Sequence, residues 1–285
     1  MSGPVPLQWQ VNGLQIAGLS WGEPGGEPLL LLHGWLDNAA SFKLLAPLLN
    51  DYHVVALDLT GHGHSDRRSA DATYQIWDDL PEILGVVDAL GWDRFHLLGH
   101  SRGGIISTLL ASAFPERIRR LVLLDAVHPE PIAEDRFPVQ MRKFLQDKPR
   151  QLLSKSRIFT TVDAAVATRQ ERGLSESAAR LLVERNIRAC AGGFTWTTDP
   201  RLYGASAVKL TAGQVKSVLQ ALVMPTLLIL AGEGYARHQE VLANAQSCID
   251  DLTVVQVDGG HHFHMEPAVA TIAMRITRFL QGIKG

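Results

Sequence analysis

The residues with the most chemical content stand in Leu97-Leu98-Gly99-His100-Ser101-Arg102-Gly103-Gly104. An apolar run leads directly into Gly-x-Ser-x-Gly, and a helix-forming stretch from Gly103 to Phe114 follows. Small residues on both sides of the serine let a strand and a helix approach closely around a sharp turn, which lifts the hydroxyl above the sheet. The amides that open the helix favour negative charge developing beside them. Ser101 is therefore a candidate nucleophile for acyl transfer. A plain strand-to-helix turn, with the serine as a cap, is the simpler reading of the same residues.

Acyl transfer needs two further parts. Backbone N–H groups must face the oxyanion that forms. The N–H of Trp35, in His33-Gly34-Trp35 directly after the apolar run Leu29 to Leu32, is one candidate donor, and that of Arg102 is the other. A general base must reach the hydroxyl. His261, His262 and His264 crowd one short segment between Asp258 and Pro267, just past an apolar run. Three such histidines also raise the question of a metal. Metal sites usually draw ligands from several elements, and the sequence offers no second cluster, so neither metal nor cofactor is expected. His96, inside an apolar run, reads as a core residue. His62 and His64, in Gly61-His62-Gly63-His64-Ser65, read as turn-shaping.

These residues have to be positioned by something. Leu7 to Val11 and Leu14 to Trp21 flank Asn12-Gly13, a two-residue hairpin signal. Short apolar runs then recur at Leu29 to Leu32, Val54 to Leu57, Phe95 to Leu98, Leu121 to Leu124, Leu227 to Leu230 and Leu252 to Val257. Such runs suit strands buried on both faces of a parallel sheet. Helices are expected at Ser41 to Leu49, Thr73 to Leu90 and Gly103 to Phe114. The alternation predicts an α/β fold with helices on both faces of a mostly parallel sheet, and its site at the C-terminal ends of the strands. It breaks between 128 and 222. That stretch has helical patches at Ser175 to Cys190 and Thr211 to Leu222 but no evident buried strand. The expected organisation is a core of residues 1–127 and 223–285 carrying a mostly helical cap, 128–222.

Bulk composition narrows the partners. The chain has 285 residues, 46% of them hydrophobic, and a formal net charge of −2. Nothing in that balance calls for nucleic acid or an anionic membrane. No apolar run approaches the ~20 residues that span a bilayer. Cys190 and Cys248 stand far apart, so a disulfide framework is not expected. Met1 to Gln10 lacks the basic and apolar regions of a signal peptide, and the expected compartment is the cytoplasm.

Together these motifs resemble the α/β-hydrolase superfamily over essentially the whole chain. Gly61-His62-Gly63-His64-Ser65-Asp66 is similar to the turn after that fold's fourth strand. Leu31-Leu32-His33-Gly34-Trp35-Leu36-Asp37-Asn38, Gly192-Gly193-Phe194 and Asp199-Pro200-Arg201-Leu202 resemble the serine hydrolase-like (Kraken-type) branch. The resemblance implies an eight-stranded, mostly parallel sheet with the cap inserted after the sixth strand. It also implies a Ser–acid–His triad in chain order. Counting back from Met265-Glu266-Pro267, the family pattern puts the base at His261, with His262 as the competitor. For the acid, many members use an aspartate just after the seventh strand, where this chain reads Leu230-Ala231-Gly232-Glu233. Two candidates remain: Asp125, where the haloalkane-dehalogenase-like branch places its acid, and Glu233. Arg102, if buried, needs a carboxylate partner, for which Asp125 is a candidate; otherwise its head reaches solvent.

The implied activity is hydrolysis of a small or medium carboxylic ester through an acyl-enzyme. Phe137, Phe144, Phe159, Phe194 and Trp196 are candidates for an acyl pocket or for the cap's own core. Carbon–carbon bond hydrolysis, amide hydrolysis and cofactor-free oxygenation use the same triad, and a non-catalytic ligand-binding protein of the same fold is a further alternative. Dehalogenase and epoxide-hydrolase branches place an aspartate where Ser101 stands.

Overall fold

The computed structural model describes residues 3–152, 157–233 and 239–283, with backbone alone at 150–152. At Asn12 and Gly13 the chain adopts positive φ, 51° and 81°. That two-residue turn matches the twist of the strands it joins, so β1 (Val5–Val11) pairs antiparallel with β2 (Leu14–Trp21). Next come β3 (Glu27–Leu32), β4 (Tyr52–Leu57), α1 (Leu80–Ala89), β5 (Phe95–His100), α2 (Arg102–Ala113) and β6 (Ile118–Leu124). After β6 lies a segment with α3 (Phe137–Leu152), β7 (Ile158–Phe159), α4 (Val162–Gln170), α5 (Glu176–Asn186), β8 (Ile187–Cys190), β9 (Gly193–Trp196) and α6 (Ala212–Gln220). The chain then returns through β10 (Thr226–Ala231), α7 (Gln239–Cys248), β11 (Leu252–Val257) and α8 (Val269–Leu280).

Eight strands form one sheet in the order β1-β2-β4-β3-β5-β6-β10-β11. From β4 to β11 all pairings are parallel. Successive residues of a strand face opposite sides, so each apolar run feeds two cores. Leu30, Leu32, Leu97, Leu121 and Leu123 pack on one face with residues of α1, α2, α6 and α7. Leu29, Leu31, Leu98, Val122 and Leu124 pack on the other with Phe42, Leu45 and residues of α8. All eight expected strands form.

Three expected helices differ. Ser41 to Leu49 folds as two short 3-10 turns, Ala39–Phe42 and Ala46–Leu48, because Pro47 cannot donate a helical hydrogen bond. Thr73 to Leu90 is helical only from Leu80, where Pro81 occupies the first turn, the place in a helix that tolerates it. Ser175 to Cys190 splits into α5 and β8, because a turn at Ala191-Gly192 lets Ile187–Cys190 pair antiparallel with β9. β7 completes a small sheet of order β7-β9-β8. Apart from Phe159 and Thr195 its residues are half-buried or exposed, so no apolar run announces it. α6 places Val215 and Leu219 in the core beneath α2.

Buried charge ties the 128–222 segment to the sheet. Arg185, on α5, donates from Nε to both carboxylate oxygens of Asp58 at 3.1 and 2.9 Å, and its Nη2 lies 2.9 Å from Oδ2. Asp58, just beyond β4, is fully buried and also accepts the N–H groups of Ala39 and His64, each at 2.8 Å. One carboxylate thus holds α5, the 39–42 turn and the 61–65 turn together. Removing one partner of such a pair leaves an uncompensated buried charge. Arg185→Ala should lower unfolding free energy by about 3–5 kcal/mol, measured by urea denaturation; a loss near zero would show that the pair holds nothing in place.

Candidate active site

β5 enters the turn at Ser101, whose φ is +52° and ψ −119°. Two glycines make this turn fit. A Cβ on Gly103 would lie 2.1 Å from the Leu32 carbonyl oxygen, and one on Gly99 would lie 2.3 Å from that of Gly103. The helix can therefore seat against β3 only with glycine at these positions. The Ser101 N–H donates to the Leu124 carbonyl at 3.0 Å, which fixes the turn over β6.

Asp125 follows β6 and shares the unusual backbone, with φ +55°. Its side chain is fully buried. Oδ1 accepts the Ala231 N–H at 2.9 Å, and Oδ2 lies 2.7 Å from Nδ1 of His261. Nε2 of His261 lies 2.8 Å from Ser101 Oγ. With Nδ1–H donating to the carboxylate, Nε2 is left to accept the serine proton. The fold thus brings Ser101, His261 and Asp125 into one chain of hydrogen bonds. Glu233 is exposed in the turn after β10, where its N–H donates to the Gly259 carbonyl at 3.1 Å. His262 turns the other way, its Nε2 3.2 Å from Asp37 Oδ2.

Arg102 is not the partner of Asp125. Its guanidinium lies 3.7 Å from Asp79 and donates to the Gln75 carbonyl at 3.2 Å. Asp79 is buried and also accepts from the N–H and hydroxyl of Thr60. The Asp125 carboxylate is engaged instead by Ala231 and His261 among its partners.

The two amides expected to face an oxyanion are those of Trp35 and Arg102. That of Arg102 opens α2, where the first-turn N–H groups have no helical acceptor. The loop carrying Trp35 is shaped by two buried histidines. His33 donates from Nδ1 to the Gly34 carbonyl at 2.7 Å and accepts the Leu59 N–H on Nε2 at 3.0 Å. His62 donates from Nδ1 to the Thr60 carbonyl at 3.0 Å and accepts the Leu36 N–H on Nε2 at 3.3 Å. The Trp35 indole donates to the Leu202 carbonyl at 3.0 Å, and the Arg169 guanidinium to the Leu36 carbonyl.

A histidine cluster backs the triad. His100 Nε2 donates to the His261 carbonyl at 2.9 Å, and its ring centroid lies 4.2 Å from that of His264. His264 is buried against Phe42, with neither ring nitrogen hydrogen-bonded among the described residues. Among the described residues, Asp37, His100 and His262 each offer a ligand atom within 4.8 Å of the others and could hold a metal ion. Asp37, Asp79 and Arg169 were not legible as site residues. A solitary acid or arginine in a loop or helix carries no periodic signal, although Asp37 lies inside the Leu31–Asn38 motif.

A family model described as alpha/beta hydrolase fold matches residues 27–268. This chain belongs to that family. It is 34% identical to serine hydrolase-like protein 2 of Homo sapiens over 93% of this chain and 90% of that protein. A serine hydrolase-like protein of Danio rerio is 32% identical over 97% of this chain and 87% of its own length. Among solved structures, a hypothetical protein from Pseudomonas aeruginosa PAO1 superposes with a TM-score of 0.91 at 36% identity, covering 98% of this chain and all of that one. Among the described residues no helix is long and apolar enough to cross a membrane.

The histidines of this family member give its stability a pH dependence. Burial, reinforced by neighbouring imidazoles, holds His100 and His264 well below the usual histidine value. Burial also opposes charge on His262, but the charge and hydrogen bond of Asp37 outweigh it and raise that group. His100 and His264 stay neutral when folded and take up protons when unfolded below about pH 6.5. They therefore withdraw stability as pH falls through that value. His262 does the opposite: its contribution is complete below about pH 6.5 and is lost as pH rises through its raised value. Replacing His264 with Phe should flatten the acid limb of unfolding free energy by up to about 1.4 kcal/mol per pH unit below about pH 6. Asp37→Asn should cost more at about pH 6 than at about pH 9. Denaturation series at several pH values check both, and an unchanged acid slope in His264→Phe would contradict the first.

Proposed function

We propose that this chain is a serine hydrolase that cleaves small or medium carboxylic esters through an acyl-enzyme on Ser101. The observation that carries the reading is the continuous path from Ser101 Oγ to His261 Nε2 at 2.8 Å and from His261 Nδ1 to Asp125 at 2.7 Å. In this reading His261 takes the hydroxyl proton as Ser101 attacks the carbonyl. The amides of Trp35 and Arg102 receive the oxyanion. His261 returns the proton to the departing alkoxide, so the alcohol leaves. Water then attacks the acyl-enzyme with His261 again as base, and Ser101 is regenerated. Asp125 holds the imidazole in the required tautomer and stabilises it once charged. Residues 128–222 act as a cap over the strand ends, and no cofactor takes part. The widely separated free cysteines fit a cytoplasmic setting.

A fluorophosphonate probe tests the nucleophile. Wild-type protein should label stoichiometrically at Ser101, and His261→Ala should label far more slowly. Folded wild-type protein that stays unlabelled would remove the enzymatic reading. On one activated ester, Asp125→Asn should lower kcat by on the order of 10⁴-fold, whereas Glu233→Gln should stay near wild type. The reverse order would transfer the acid's role to Glu233. Turnover of amides or β-diketones without esters would keep the triad and replace the substrate class.

A further inference from the structure

A cavity of about 250 Å³ is lined by residues of the 128–222 segment and by Leu36, the neighbour of Trp35 in the chain. Leu36, Phe159, Trp196 and Tyr203 supply apolar walls, and Arg157, Arg169 and Arg172 supply charge. Among the described residues no acidic side chain lines it. Among the described residues, none of the three arginines forms an ion pair within 4 Å. Arg169 is the unusual member. It is only 8% exposed and lies over the Trp196 ring at 5.5 Å; its hydrogen bond to the Leu36 carbonyl is that of a charged donor to a neutral acceptor. A guanidinium fork has five donors in one plane; the charge of buried Asp37 reaches Arg169 but, among the described residues, makes no ion pair with it within 4 Å. Arg157 and Arg172 stand at the exposed rim. Phe159 and Trp196, two of the candidates for an acyl pocket or for the segment's own core, pack in that core and also line the cavity, beside cations.

We propose that this cavity is a carboxylate subsite: the ester cleaved at Ser101 carries a carboxylate on an apolar body, held by the Arg169 fork with Arg172 and Arg157. This rests on the serine-ester reading and deepens it. A planar guanidinium matches a carboxylate in bidentate geometry. The aromatic and aliphatic walls accept the chain between carboxylate and ester. Leu36 ties the two sites together, since its neighbour offers the oxyanion amide and its own carbonyl holds Arg169. Tyr203 meets the Trp35 ring at a centroid distance of 5.3 Å, so the cavity wall and the oxyanion loop touch.

The test compares matched charged and neutral esters. Mono-p-nitrophenyl adipate and its ω-methyl diester place the charge on the acyl half. 4-Acetoxybenzoate and its methyl ester place it on the alcohol half. In wild type, one pair should show kcat/KM at least tenfold higher for the charged member, decreasing with added salt. That charged-to-neutral ratio should fall at least fivefold in Arg169→Gln and in Arg172→Gln. Arg172 is exposed, so its variant reports even if Arg169→Gln fails to fold. Ratios at or below one for both pairs, or ratios unmoved by either variant, would overturn the subsite. If Ser101 takes no phosphonate label and no ester turns over, the serine reading fails by itself. The subsite is then read by adipate binding in calorimetry: binding lost in Arg172→Gln supports it, and no binding to wild type overturns it.

Discussion

The contact between Gly103 and the end of β3 sets the geometry of everything above the sheet. α2 can approach Leu32 and His33 only because no side chain stands between them. That approach forces Ser101 into positive φ at the tip of the turn. Asp125 and Leu36 hold similar backbones, at +55° and +62°. Each such residue costs about 1–3 kcal/mol and persists only where its surroundings over-determine it. Here the surroundings are paired strands: the Ser101 amide bonds to Leu124 and the Asp125 amide to Ile229. The rigid parallel ladder supports the strain, and two of the strained residues, Ser101 and Asp125, meet the same imidazole.

Around that centre, charge is partitioned by pairing. Arg102 goes to Asp79, Arg185 to Asp58, Arg201 to Asp199 and His262 to Asp37. Each buried acid so engaged is held away from the triad. The Asp125 carboxylate instead accepts a backbone amide and meets an imidazole. The neighbourhood of the serine is thus crowded with ionisable groups without confusing which carboxylate meets His261.

The sheet was legible because its central strands are apolar on both faces and their runs are bounded by turns. Ser101 and its flanks were legible for the same reason: strand, glycines and helix stand in immediate succession. His261 and Asp125 were reached through likeness to a family, since three histidines share one loop and no spacing rule relates an acid after β6 to a base after β11. What brings them together is the register of β6 against β10 and of β10 against β11. That is a long-range pairing and leaves no local trace. The small β7-β9-β8 sheet stayed hidden because its strands are short and half exposed, so tertiary pairing decided a segment that local pattern read as helix. The Arg102–Asp79 pair was hidden likewise, because Asp79 sits in the loop before α1.

The link from Arg169 to the Leu36 carbonyl, together with that from the Trp35 indole to Leu202, makes the loop carrying Trp35 and the 128–222 segment one mechanical piece. In descendants of such a fold, the segment over the sheet is not freely interchangeable. A replacement taken from a relative would have to bring its own cation to that carbonyl and its own acceptor to that indole. Diversification of this chain's lineage is therefore expected to be faster along the outer faces of α3 and α4 than along the edge that meets Trp35 and Leu36. A change of substrate would come by altering the cavity wall while the two tethers stay.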